Sequence, residues 1–200
     1  LTNWTATGTG TGGAATRTDA RSYAGNISVR LTAADGGNYL IRSNQINLEA
    51  GASVTVQCRL WRSANIAAQL QIRDVTNGST RVTASPVQID EWELLTTVWT
   101  NTTSGTVTVE MRVSNTHADG TAFVWLDACQ MELSTYATPY CDGSLGGYST
   151  TGVANGTAHA WTGTEHASTS TRLAAMLSYP TTGNIDQRKW TIMAWVCLAG

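Results

Sequence analysis

Few residues in this 200-residue chain could do chemistry. The three histidines, His117, His159 and His166, lie in polar or glycine-containing segments where a solvated or backbone-bonded imidazole is the plain expectation. Asp90, Glu91 and Glu93 flank Trp92. Two carboxylates across a sugar are the minimum for glycoside hydrolysis, but neighbours on an extended chain point to opposite faces, so only Glu91 and Glu93 could share one. No GxSxG elbow, HExxH or P-loop is present, and no nucleophile is placed with a base and an orienting group. These acids read as solvating charges at a strand start. The expectation is a protein without catalysis and without a cofactor.

A second set of residues is suited to recognition. Gln57, Arg59 and Trp61 alternate with apolar residues in one run, Gln71 and Arg73 in the next, and Arg112 in a third, beside Gln69 and Glu110. If those strands neighbour one another in one sheet, they make a shallow face of amides and guanidiniums around one indole. A Trp face can stack on the apolar side of a pyranose while planar polar groups bond its hydroxyls. The other reading is a solvated face with Trp61 covering a loop or meeting another subunit. Asp127 is a candidate calcium ligand, but calcium takes six or more oxygens and one Asp in an apolar strand does not supply them. A backbone-bonded carboxylate is the alternative there.

The elements that must carry these residues are strands. Val54, Val56, Cys58 and Leu60 alternate with Thr55, Gln57, Arg59 and Trp61; Leu70 and Ile72 with Gln69, Gln71 and Arg73; Val107 to Val113 with Thr108, Glu110 and Arg112. Such alternation marks antiparallel strands with one buried face. Asn26–Leu31, Tyr39–Leu48, Arg81–Ile89, Trp92–Thr100 and Thr121–Leu133 add further runs, and Leu1–Ala20 reads as an edge strand and a loose turn anchored by Trp4. Asp35-Gly36-Gly37 and Asn77-Gly78 supply turns, and Pro86 confines its run to an edge or a bulge. About nine short strands without helical period predict an all-β fold, a jelly-roll β-sandwich, over residues 1–134.

Composition agrees, with 33 threonines against one lysine, Lys189. A formal charge of −2 provides no basic field for nucleic acid, and no apolar run reaches the ~18 residues of a membrane span. The start, LTNWTATGTG, lacks the charged and apolar regions of a signal peptide, although a mature secreted fragment would look the same. Cys58, Cys129, Cys141 and Cys197 show no CxxC or zinc spacing and read as buried free thiols, with Cys129–Cys141 pairing as the alternative.

From Tyr136 to Arg172 the chain is rich in Gly, Ser and Thr, with Tyr136, Tyr140, Tyr148 and Trp161 spaced through it, as in a connector (135–172) pinned by its aromatics. It contains ATPYxDG, with Tyr140, Asp142 and Gly143, and then WxGTxHASTSxR, with Trp161, Gly163, His166, Ser168, Ser170 and Arg172. This stretch resembles a signature of tail and minor structural proteins of tailed bacteriophages, in which it joins a carbohydrate-binding-module-like jelly roll to a concanavalin/laminin-G-like domain. Cys141 and the longer Ser149–Ala160 insert depart from that pattern. The resemblance implies a structural role for the signature residues and assigns residues 173–200 to the first strands of the second domain. The chain is then expected to be the front of a longer protein, or to end against another subunit.

The resemblance further implies a non-enzymatic structural or adhesive virion protein of a tail, fibre or appendage. Its expected partners are other virion proteins, copies of itself (a trimer by analogy with fibres) and host-surface polysaccharide. The alternatives are a binding module of a secreted carbohydrate-active enzyme and a capsid decoration protein.

Overall fold

A computed structural model of the chain describes residues 4–9, 12–33, 39–64, 67–116, 122–140, 159–162 and 170–172. The chain divides into two compact units, Leu1–Cys141 and Asp142–Gly200. In the first, the described strands are β1 (Thr5–Gly8), β2 (Ala14–Thr18), β3 (Ser28–Thr32), β4 (Tyr39–Arg42), β5 (Ile46–Leu48), β6 (Ser53–Arg62), β7 (Ala68–Asp74), β8 (Ser79–Ala84), β9 (Glu93–Thr100), β10 (Val107–Asn115) and β11 (Phe123–Glu132). They build two antiparallel sheets: β1-β4-β10-β7-β8, with β5 also on β10, and β2-β3-β11-β6-β9. No helix occurs among the described residues. The expected all-β jelly-roll sandwich is the fold observed.

The alternating apolar residues meet between the sheets. Val54, Val56, Cys58 and Leu60 of β6, Leu70 and Ile72 of β7, Val109, Met111 and Val113 of β10, and Val124 and Leu126 of β11 are all buried, together with Leu31, Ile41 and Leu48. Each fully buried Val, Leu or Ile contributes about 1.5–3 kcal/mol, so these runs define the core. Asn115 Nδ2 donates across the sandwich to Leu31 O (3.3 Å) and Ala122 O (3.1 Å). Asn101, also buried, donates to Leu48 O and Gly105 O and accepts from the Thr103 N–H and hydroxyl, closing the turn into β10.

Several boundaries differ from the expectation. Leu1–Ala20 contains two strands in different sheets, β1 and β2. The run Tyr39–Leu48 is interrupted, because the Ser43 hydroxyl accepts the Met111 N–H (3.1 Å) where a backbone carbonyl would otherwise stand; β4 and β5 resume the ladder on either side. The strand expected from Asn26 begins at Ser28, leaving Ile27 40% exposed. The turn at Asp35-Gly36-Gly37 lies outside the described residues. At Asn77-Gly78 the turn is present, with Gly78 at φ 62°, a conformation that favours glycine. Strand β8 is an edge strand that stops before Pro86. A bulge in β11 between Asp127 and Gln130 puts Ala128 at φ 48°, and the Asp127 carboxylate accepts the Ala128 N–H (2.7 Å).

In the second unit, β12 (His159–Trp161) and β13 (Ser170–Arg172) pair antiparallel, with Trp161 opposite Ser170 and His159 opposite Arg172. The strands expected in 173–200 lie outside the described residues.

Candidate functional site

Of the candidate acids, Glu93 is already engaged. Glu93 Oε2 accepts the N–H groups of Val87 (2.8 Å) and Gln88 (2.9 Å), so it closes the loop before β9. Of the histidines, His117 and His166 lie outside the described residues, and His159 is placed only by its ladder position. Asp127 Oδ2 accepts from Tyr23 N (2.8 Å) and Ala24 N (3.0 Å), and Oδ1 from Ala128 N. Oxygens aimed at three N–H donors do not face a cation, which corrects its candidacy for calcium; the carboxylate is the backbone-bonded one of the alternative reading. Among the described residues no group of three His, Cys, Asp or Glu could hold a metal.

The six recognition residues do not form one face. Gln57, Arg59 and Trp61 belong to β6, in the sheet built around β11, whereas Gln71 and Arg73 of β7 and Arg112 of β10 belong to the other sheet. Both sets point away from the core, so the sandwich turns them to opposite sides of the molecule. Periodicity assigns faces of a strand and is silent on which sheet receives it.

The β6 set is covered by its own chain. Trp61 is only 5% exposed: its ring meets Trp125 edge-on (centroids 4.7 Å apart) and the Arg21 guanidinium lies 3.7 Å from its centre. Phe123 meets Trp125 in turn, Arg30 lies over Phe123, and Arg59 lies over Tyr23. The loop that delivers Arg21 and Tyr23 is held by Asp127. Gln57 Nε2 donates to Thr138 O (2.8 Å), while Glu132 accepts from the Thr138 N–H and hydroxyl, and Thr55 donates to Ser134 O. The expected one-face-buried strand is therefore buried on both faces. Trp61 offers no ring to a ligand, and Gln57 anchors Thr138.

The other face is continuous and partly exposed, with Glu110 and Ser114 buried along its central strand. Register partners share a face of a sheet. One row crosses five strands, Thr5–Arg42–Arg112–Gln71–Thr83; beside it run Thr7–Leu40–Ser114–Gln69 and Glu110–Arg73–Thr80. At ~4.8 Å per strand the first row spans about 19 Å. Glu110 is fully buried; its Oε1 accepts from Arg112 at 2.5 Å and its Oε2 from Gln45 Nε2 at 3.1 Å. That carboxylate fixes the Arg112 guanidinium on the sheet. Gln71 Nε2 donates to Gln69 Oε1 (2.8 Å), so the two amides are also oriented. Arg42 was not among the expected residues, although the Leu40-Ile41-Arg42 alternation places it outward; Arg21 lies in a loop with no periodic signal. A separate open recess of about 460 Å³ lies between Asn47–Ser53 and Leu133–Thr135, with Glu49 its one charged residue.

Of the connector signature, Tyr140 is half-buried at the end of the first unit, and Trp161, Ser170 and Arg172 lie on the β12–β13 ladder. Asp142, Gly143, Gly163, His166 and Ser168 lie outside the described residues.

No protein-family model matches the chain, and no curated protein is similar to it in sequence. Solved structures share its fold. The enzymatically active domain of tailspike protein 4 from bacteriophage CBA120 is similar at TM-score 0.52 and 16% identity, over 66% of this chain and 19% of that one. A family 16 carbohydrate-binding module is similar at TM-score 0.49 and 12% identity, over 61% and 87%. A family 61 module in complex with β-1,4-galactotriose is similar at TM-score 0.48 and 15% identity, over 66% and 88%. The chain thus spans about a fifth of the tailspike chain it resembles, and what is shared is the β-sandwich.

Proposed function

We propose that this chain is a non-enzymatic glycan-binding component of a bacteriophage virion, part of a tail, fibre or surface appendage. The observation that carries the glycan reading is the five-strand row Thr5–Arg42–Arg112–Gln71–Thr83, a partly exposed track of hydroxyl, amide and guanidinium groups in which Glu110 fixes Arg112. Hydroxyl-rich ligands are recognised by such pre-positioned amides and guanidiniums, because little side-chain entropy is lost on binding. The sugar-contacting residues in this reading are Gln71, Arg73 and Arg112, with Arg42. The virion reading is supported by the ATPYxDG…WxGTxHASTSxR signature and by the occurrence of the same fold in a phage tailspike.

The exposed Leu133 and Tyr136 beside the unit boundary support assembly with copies of this chain or with other virion proteins. A glycan array tests the binding role: the wild-type chain binds at least one polysaccharide, and Arg112→Ala together with Gln71→Ala abolishes it. An array on which no glycan binds overturns it. The virion role is tested by mass spectrometry of purified particles, in which these peptides are expected, and self-association by sedimentation at high micromolar concentration.

A further inference from the structure

Glycans differ in charge, and so do the faces that bind them. On the outer face of the β10 sheet the strand rows carry Arg42, Arg73 and Arg112 against a single acid, Glu110. Glu110 is consumed by Arg112 and Gln45, so its oxygens already have donors. The side chains of Arg42 and Arg73 make no ion pair or hydrogen bond among the described residues, and both are only partly exposed on the sheet. Three guanidiniums and one carboxylate leave an excess of two positive charges on this one face of a chain whose formal charge is −2.

A second observation lies on the same face. Ser114, 4% exposed and two residues along β10 from Arg112, has a buried hydroxyl with no hydrogen-bond partner. Buried polar groups are nearly always satisfied, and this one, opposite Leu40 and Gln69, is left without a partner beside the Arg42–Arg112 row. The rows contain no aromatic side chain: Tyr39 of β4 packs on the core, and the clustered indoles Trp61 and Trp125 lie on the other sheet. A neutral pyranose has no ring to stack on here. A nucleic acid strand has none for its bases either.

We propose that the ligand of this face is an acidic polysaccharide, a polyuronate whose carboxylates are taken by Arg42 and Arg73, with Arg112 and Gln71 bonding its hydroxyls. This rests on the glycan reading above and adds the charge class to it. Guanidinium and carboxylate form bidentate, charge-assisted pairs, which are about twice as strong as neutral hydrogen bonds, and Arg suits them where Lys does not. Specificity follows from charge. A methyl ester on each carboxyl removes the charge and leaves the ring unchanged.

The test is calorimetric titration of the full chain at low salt with polygalacturonate, alginate and hyaluronate, with fully methyl-esterified galacturonan and with single-stranded DNA. Binding to at least one polyuronate is expected, with loss on esterification, weakening as salt rises, and a loss of about tenfold for each of Arg42→Glu and Arg73→Glu, the size of one charge-assisted bond. Arg17→Glu, on the other sheet, serves as the control for net charge, and circular dichroism confirms that each variant is folded. Equal binding of the esterified polymer, an equal loss in Arg17→Glu, or comparable affinity for DNA overturns the proposal, as does binding to none of the three polyuronates. If a neutral glycan binds while every polyuronate fails, the charge class falls and the glycan-binding function stands.

Discussion

The guanidinium of Arg21 lies 3.7 Å from the centre of the Trp61 ring, so the residue best suited to stack on a sugar is already covered from within the chain. Arg21 stays exposed while Trp61 is buried beneath it. The contact is a clamp on the loop before β3, and its energy belongs to the fold.

Trp61→Ala is accordingly expected to destabilise the first unit by about 3–5 kcal/mol, the range for removing a buried indole. Arg21→Ala removes the cation–π contacts of an exposed guanidinium with Trp61 and Trp125 and should cost only about 0.5–1 kcal/mol for each. Urea denaturation followed by tryptophan fluorescence separates the two. A Trp61→Ala protein of unchanged midpoint would contradict the burial described here.

Asp127 controls the same loop from the other side. Asp127→Ala deprives the Tyr23 and Ala24 N–H groups of their acceptor and should cost about 1–3 kcal/mol. Limited proteolysis should then cut within residues 19–27, where the wild type resists. Because the carboxylate faces N–H donors, adding calcium or a chelator is expected to leave the melting temperature of the wild type unchanged.

Asp74 makes the fold sensitive to acid. Burial alone raises its pKa, but hydrogen bonds from the Asn77 side chain and backbone, and then the Arg81 guanidinium at 2.6 Å, outweigh it and hold the carboxyl below its ordinary value. A depressed folded-state pKa stabilises the fold above the unfolded value of about 3.9, and this is lost as pH falls through the folded one. Stability measured from pH 6 down to pH 2 should therefore drop below about pH 4 in the wild type. Asp74→Asn should be less stable at neutral pH and flatter on the acid side; an unchanged acid limb would remove Asp74 as its source.

Cys129 should be chemically quiet. The Cys58 thiol beside it, then burial, then the Asp127 charge push its pKa well above the ordinary thiol range, so it remains protonated at neutral pH. Both cysteines are free thiols facing the same core. Iodoacetamide at pH 8 followed by peptide mapping should leave Cys129 unmodified until denaturant is added; rapid labelling of the native chain would show the thiol to be accessible.

Alternation was enough to read β6, β7, β10 and β11 as strands and to name their inward residues, because a period of two is a local property of the backbone. It identified Gln71, Arg73 and Arg112 as outward, and they do share a face. It could not show that β6 joins a different sheet, since sheet order is set by pairings between residues far apart in sequence. Nor could it show that the outward side of β6 is covered, because the cover comes from Arg21 in an aperiodic loop and from Thr138 beyond the last strand. Ser43 escaped notice for a similar reason: its hydroxyl substitutes for a backbone acceptor, and hydroxyls are common throughout this threonine-rich chain.

The order of the strands also constrains when the molecule can exist. Strand β11 sits between β3 and β6, and β10 between β4 and β7, so the middle of each sheet is contributed by the end of the first unit. Until a ribosome has released residue 132, β3 and β6 are strands with unsatisfied edges, and the tether from Tyr23 to Asp127, 104 residues away, cannot form. Closing contacts of that separation makes for slow, all-or-none folding, with sticky edges exposed for the whole time of synthesis. A chain truncated before β10 would have no sandwich to fall back on, and its natural fate is aggregation.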